Sequence, residues 1–209
     1  MSTHPDAYRT IVGDGEGDFR DRGSKFPAYA FPCVDLGSLT SHLQMLKKVH
    51  PTARHHCYGA VIGDATSERR AHDDGEPSGT AGLPILNEIL STRLVDTAVV
   101  VVRYFGGIKL GKPGLINAYR MAARSALDSA PVQTRYHCLQ MRIEFDYDAT
   151  GAVMQTVEKI RHARLVDQRF ADRCQVDVAV PRSLTHALLT AFDYTQSVSV
   201  HIIEVSNGE

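Results

Sequence analysis

The stretch His72-Asp73-Asp74-Gly75-Glu76-Pro77-Ser78-Gly79-Thr80-Ala81-Gly82-Leu83-Pro84 sets three carboxylates within four positions, then runs through small residues into a predicted helix start. Carboxylates so close together can hold a metal ion or move protons. The same residue types also build fixed turns, because Asp accepts from amides further along the chain and Gly supplies positive φ. For Asp73, Asp74, Gly75 and Glu76 the turn reading is preferred. Ser78 or Thr80 is expected to cap the helix, and the approach through Ser78, Gly79 and Thr80 to a helix N-terminus is an anion-binding candidate.

A second stretch, Arg103-Tyr104-Phe105-Gly106-Gly107-Ile108-Lys109-Leu110-Gly111-Lys112-Pro113, combines cations, aromatic rings and glycines. Gly106 to Lys112 fits the first seven positions of a phosphate-binding P-loop between a strand and a helix. The eighth position needs a Ser or Thr hydroxyl for Mg²⁺, and Pro113 supplies neither a hydroxyl nor an N–H. No nucleotide hydrolysis follows from it. What remains is a glycine-rich basic loop, in which Arg103, Lys109 and Lys112 carry charge beside Tyr104 and Phe105. Single-stranded nucleic acid or another phosphate-rich partner would use that mixture, with Gly106 and Gly107 shaping the loop. The competing reading puts the rings in the core and leaves the lysines solvating a turn.

His50, His55, His56 and Cys57 form a third cluster. On a strand, His55 and Cys57 share one face and His56 takes the other. Adjacent histidines that point apart do not make a zinc site, and the four cysteines (Cys33, Cys57, Cys138, Cys174) have no paired spacing. No catalytic residue, metal ligand or cofactor is assigned.

These residues need elements to position them. Ser24 to Val34 reads as a strand, and Leu39, Leu43, Leu46 and Val49 recur at helical spacing after a cap at Asp35 or Ser38. Arg54 to Gly63 reads as a strand and Asp64 to Gly82 as a long polar loop. A helix follows from Pro84, carrying Ile85, Leu86, Ile89 and Leu90, then a β-branched central strand over Thr97 to Arg103. Gly114 to Ser129 reads as a helix with Leu115, Ile116, Tyr119, Ala122 and Ala126 on its apolar face. Residues 1–17 are expected to be a flexible arm, 18–132 one domain and 136–206 another, with Ser129 to Arg135 read as a linker. The second domain shows a strand, a helix, a hairpin across Ala171-Asp172-Arg173, a helix and a strand. That β-α-β-β-α-β order is ferredoxin-like, so the class expected is α+β. Such a fold informs architecture, not activity.

Composition narrows the function classes. With 23 Lys+Arg against 24 Asp+Glu the net charge is −1, so attraction to nucleic acid must come from a local patch. The unpaired cysteines suit a reducing compartment. The polar N-terminus lacks the apolar core of a secretory signal, and the longest apolar run, Ala98 to Val102, is too short for a membrane span. A cytoplasmic protein without membrane contact is expected.

Four motifs together resemble the IMPACT family in its bacterial, YigZ-type form: Gly23-Ser24-Lys25-Phe26, His56-Cys57-Tyr58, Asp73 to Pro84, and Val102 to Gly111. The similarity covers roughly residues 18–130. It implies an N-terminal domain like the second domain of a small-subunit ribosomal protein, and a C-terminal domain like the last domain of elongation factor G. Both relatives contact ribosomal RNA. The resemblance therefore implies a non-catalytic, translation-associated regulator with RNA, the ribosome or a translation factor as partner, and brings no active site. The alternative kept open is an enzyme acting on a phosphorylated small molecule, with Asp73, Asp74 or Glu76 as acid–base or metal groups. One departure from the family's pattern is Lys112-Pro113 after Gly111, with Asn117 where the family carries an arginine.

Overall fold

The structure is a computed structural model and describes residues 4–63, 68–193, 195 and 197–204. The chain divides into two units, one of Arg9–Thr134 and one that joins the residues before Arg9 to those from Arg135 onward.

The Arg9–Thr134 unit is built on a five-stranded sheet in the order β2-β3-β6-β4-β5. Its strands are β2 (Gly15–Asp21), β3 (Ser24–Pro32), β4 (His55–Ile62), β5 (Glu68–His72) and β6 (Thr97–Arg103), and every neighbouring pair is antiparallel. Three helices cover it: α1 (Leu36–Val49), α2 (Gly82–Thr92) and α3 (Gly111–Ser129). β6 is buried at all seven positions, which is why its β-branched run shows no alternation. Its odd residues Val99 and Val101 join Phe26, Cys57, Ile85, Ile89 and Tyr119 in one core beneath α2 and α3. Its even residues Val100 and Val102 join Phe31, Leu39 and Leu46 in a second core beneath α1. Asp35 caps α1, accepting from the Ser38 amide at 2.6 Å.

Three segments differ from the sequence-based expectation. The expected arm holds β1 (Ala7–Ile11), which pairs with β7 (Val132–Tyr136), and the start of β2. β1 is tied down by its neighbours: the Val95 amide donates to the Arg9 carbonyl at 3.0 Å, and the Val12 amide to the Pro131 carbonyl at 2.9 Å. In β2 the glycines that look like markers of flexibility allow close packing, since a Cβ at Gly17 would fall 2.4 Å from the Ala126 nitrogen of α3. The expected linker therefore includes the end of α3 and β7. Within the expected 64–82 loop, Glu68-Arg-Arg-Ala-His72 forms the edge strand β5, exposed at every position and so without a hydropathy signal; residues 64–67 lie outside the described residues.

The other unit follows the ferredoxin-like order: β8 (Cys138–Phe145), α4 (Thr150–Lys159), β9 (Arg164–Arg169), β10 (Cys174–Pro181), α5 (Thr185–Ala191) and β11 (Val198–Glu204). Its sheet order is β11-β8-β10-β9. Met141, Ile143, Phe145, Val176, Val178 and Leu188 form its core. On the opposite sheet face Arg142 grips Asp177 through Nε at 2.8 Å and Nη2 at 2.9 Å, which holds the Asp177 carboxyl below its ordinary range.

Candidate functional site

The four family-like motifs lie far apart in sequence, and the sheet of the Arg9–Thr134 unit brings them together. Asp21 pairs with Ser24 across a two-residue turn in which Arg22 (φ 44°) and Gly23 (φ 79°) both adopt positive φ. Gly106 rests directly on this turn. A Cβ at Gly106 would stand 2.0 Å from the Gly23 carbonyl carbon, and its amide donates to Ser24 Oγ at 3.1 Å. Lys25 and Tyr104 exchange backbone hydrogen bonds at 3.0 and 2.9 Å. The loop after β6 is thus clamped to the β2–β3 turn.

Arg103, expected among the surface cations, is only 8% exposed. Strand parity explains this: Arg103 shares the face of Val99 and Val101, and α2 and α3 cover that face. Its Nη1 donates to Glu76 Oε1 at 2.5 Å, and Glu76 is also 8% exposed. Tyr119, fully buried on α3, donates to the same carboxylate oxygen at 2.9 Å. The Cys57 thiol donates to the Asp73 carbonyl at 3.0 Å, and its sulfur lies 3.4 Å from the Tyr119 hydroxyl. His55 Nε2 stands 3.9 Å from Glu76 Oε1. Burial raises both the Cys57 thiol and the Tyr119 phenol far above their ordinary values, so neither ionises at neutral pH.

The other carboxylates of the acidic stretch are also engaged. Asp73 Oδ1 accepts from the amides of Ala81 (3.0 Å) and Gly82 (2.8 Å), and Oδ2 from Gly79 (2.9 Å). Asp73, rather than Ser78 or Thr80, therefore satisfies the helix-start amides of α2 that have no partner within the helix; Ser78 is exposed, and the Thr80 hydroxyl donates to the Pro77 carbonyl at 2.6 Å. Burial acts to raise the Asp73 carboxyl, yet the three amides together hold it below its ordinary value. Asp74 Oδ2 accepts from the His56 amide at 2.7 Å, and the Asp74 carbonyl accepts from His55 Nδ1 at 2.8 Å. Asp74, Gly75 and Gly79 all take positive φ (42°, 87° and 74°), as tight turns need. Among the described residues, no three His, Cys, Asp or Glu side chains gather closely enough to hold a metal ion.

On the α1 side of the sheet, His50 links two phenols, with Nε2 2.7 Å from the Tyr29 hydroxyl and Nδ1 2.8 Å from the Tyr104 hydroxyl. Tyr104 is accordingly half-buried. Arg103 is anchored on one face of the sheet and Tyr104 on the other, and the chain then emerges. Phe105, Gly106, Gly107, Ile108, Lys109 and Lys112 are all exposed. Arg22 and Lys25, on and beside the turn that Gly106 touches, are exposed too. Sequence reasoning missed the roles of Glu76, Tyr119 and Cys57 as anchors, and of Arg22 and Lys25 as surface cations. Periodicity was a usable signal for the anchors, since Tyr119 follows Leu115 by one helical turn and Arg103 keeps the parity of Val101.

The model of the Impact N-terminal domain matches residues 22–127. Over 181 residues the chain is 33% identical to the IMPACT family member YvyE of Bacillus subtilis, covering 87% of this chain and 83% of that protein. It is 36% identical over 187 residues to an IMPACT family member of Haemophilus influenzae, covering 88% and 85%. A crystal structure of a hypothetical protein shares the fold, with a TM-score of 0.69 at 23% identity, covering 97% of this chain and all of the other. The anchored motifs and these matches agree: the chain belongs to the IMPACT family.

Proposed function

We propose that this protein binds RNA as a translation-associated factor, through the end of the Arg9–Thr134 unit where the loop after β6 meets the β2–β3 turn. The observation that carries the reading is a group of four exposed cations, Arg22, Lys25, Lys109 and Lys112, none ion-paired among the described residues. They sit on two segments whose backbones Gly106 and Gly23 lock together. A net charge of −1 gives the whole chain no attraction to polyanions, so a preformed local patch is what phosphate binding requires. The enzymatic alternative draws no support from the acidic stretch, whose carboxylates are already bonded to backbone amides, Arg103 and Tyr119.

Fluorescence anisotropy with a labelled RNA of about 20 nucleotides tests this between about 50 and 200 mM KCl. Four phosphate contacts to a single strand predict a log–log salt slope near −3. The double variant Lys109→Ala/Lys112→Ala is expected to weaken binding and to flatten the slope by about 1.4. Absence of binding, or binding indifferent to salt, overturns the proposal.

A further inference from the structure

Phe105 is 59% exposed, and among the described residues it is the only Phe or Tyr of the Arg9–Thr134 unit that is exposed. A phenyl group gains by burial, so a ring held outside needs a cause. The cause is beneath it. The Arg103 guanidinium carbon lies 5.7 Å from the Phe105 centroid and 5.5 Å from that of Phe26, so one cation touches both rings. Phe26 is wholly buried and meets Tyr119 edge-on at 5.3 Å, and Tyr119 and Arg103 share the Glu76 carboxylate. A continuous series of fixed groups therefore runs outward from the core and ends at Phe105.

The chain beyond the ring is bare. Gly107 has φ 89°, and a Cβ placed there would meet nothing within 4 Å. Exposed Lys109 and Lys112 follow. An aromatic ring backed by a rigid cation, with open backbone on one side and lysines next in sequence, has the parts of a stacking platform: a π-face for a base and charges for its phosphates.

We infer that Phe105 stacks on an unpaired base, so that the ligand of this surface is single-stranded RNA rather than a duplex. This deepens the RNA-binding reading above and rests on it. In a duplex the base faces are already stacked on one another and are closed to a protein ring, whereas a single strand offers them. Arg103 takes the place of a positioning residue beneath the platform, not of a phosphate contact.

The experiment uses the full chain with three probes: a single-stranded RNA, its blunt duplex, and the single strand carrying one 2-aminopurine. The single strand is expected to bind more tightly than the duplex, and 2-aminopurine fluorescence to be quenched at saturation. Phe105→Leu keeps an apolar side chain without a π-face and is expected to weaken single-strand binding about tenfold and abolish the quench. Its salt slope stays that of the parent protein, because no phosphate contact is lost. Phe105→Trp is expected to retain the affinity and the quench. Salt-dependent binding in which duplex and single strand are equivalent and Phe105→Leu is silent overturns the platform alone. No RNA binding, or salt-indifferent binding, overturns the underlying reading as well.

Discussion

Glu76 Oε1 accepts from Arg103 Nη1 at 2.5 Å while both side chains are buried, so a surface-looking loop is held by an ion pair closed from solvent. Such a pair adds little over a well-packed apolar pair, but removing one member leaves the other charge uncompensated. Glu76→Ala is expected to lose about 3–5 kcal/mol in urea unfolding. The double change Glu76→Leu/Arg103→Met should cost less than Glu76→Ala alone, although it alters two buried residues. A Glu76→Ala loss below about 1 kcal/mol would show that the pair is not sealed.

Neighbouring glycines in the same loop should respond very differently to the same methyl group. Gly106 faces the Gly23 backbone so closely that a Cβ would stand 2.0 Å from a carbonyl carbon, and backbone cannot swing aside as a side chain can. Gly106→Ala is expected to cost about 1–3 kcal/mol and to separate the loop from the β2–β3 turn. Gly107 has open space but a φ of 89°, so Gly107→Ala carries only the backbone penalty of about 1–2 kcal/mol. Thermal unfolding measures both. RNA affinity separates them, since only Gly106→Ala disperses the four cations. Equal loss of affinity in the two variants would refute the clamp.

Much of the architecture was legible because its signals are local. The β-branched run of β6, the Asp35 cap of α1 and the element order of the C-terminal unit are written in short windows. β5 was not, because an edge strand of Glu, Arg, Arg, Ala and His buries no face and relies on the β4 backbone for its pairing. The site was half legible. Asp73 in a turn follows from its residue type, and its distant amides at Ala81 and Gly82 extend the same logic. Glu76 is the harder case, since nothing around a glutamate in an acidic loop announces a buried arginine 27 residues on. By charge alone Arg103 reads as a surface cation, since an arginine at a strand end beside a glycine-rich loop carries no apolar signal. Parity alone would have sent it inward.

Two histidines give the fold a dependence on pH near neutrality. Burial lowers the His50 imidazole, which bridges Tyr29 and Tyr104. Burial also lowers His56, with the nearby Asp74 carboxylate opposing and Lys47 and His50 adding to the fall. Below the ordinary histidine value of about 6.5 the unfolded chain takes up protons that the native chain resists. Stability must therefore fall as pH drops from about 7 towards 5. One such group sets a slope of at most about 1.4 kcal/mol per pH unit, and His56→Gln should remove its share. Urea midpoints across that range make the comparison; a profile as steep in His56→Gln as in the parent excludes His56 as a source.

Asp73 acts in a lower window and with the charge of the carboxylate rather than its shape. Its oxygens collect the amides of Gly79, Ala81 and Gly82, and these hold the group below its ordinary carboxyl value despite the opposing effect of burial. A depressed carboxyl contributes fully above its unfolded value of about 3.9 and loses that contribution as pH falls through the lower folded value. Asn has almost the same outline, but it accepts through one oxygen and turns an N–H₂ towards amides that need an acceptor. Asp73→Asn should therefore cost about 1–3 kcal/mol at pH 7, the range for hydrogen bonds to a charged group and a donor left unpaired. The difference between parent and variant should begin to narrow below about pH 4, where the carboxyl of the unfolded chain takes up its proton, and should go on narrowing as the folded carboxylate follows at lower pH. The same change should loosen the first turn of α2, read as faster hydrogen exchange at Gly79, Ala81 and Gly82, while β10 and α5 of the C-terminal unit keep their protection. A cost at pH 7 that persists unchanged at pH 3 would mean that Asp73 serves by shape alone, and that the start of α2 is organised by something other than its charge.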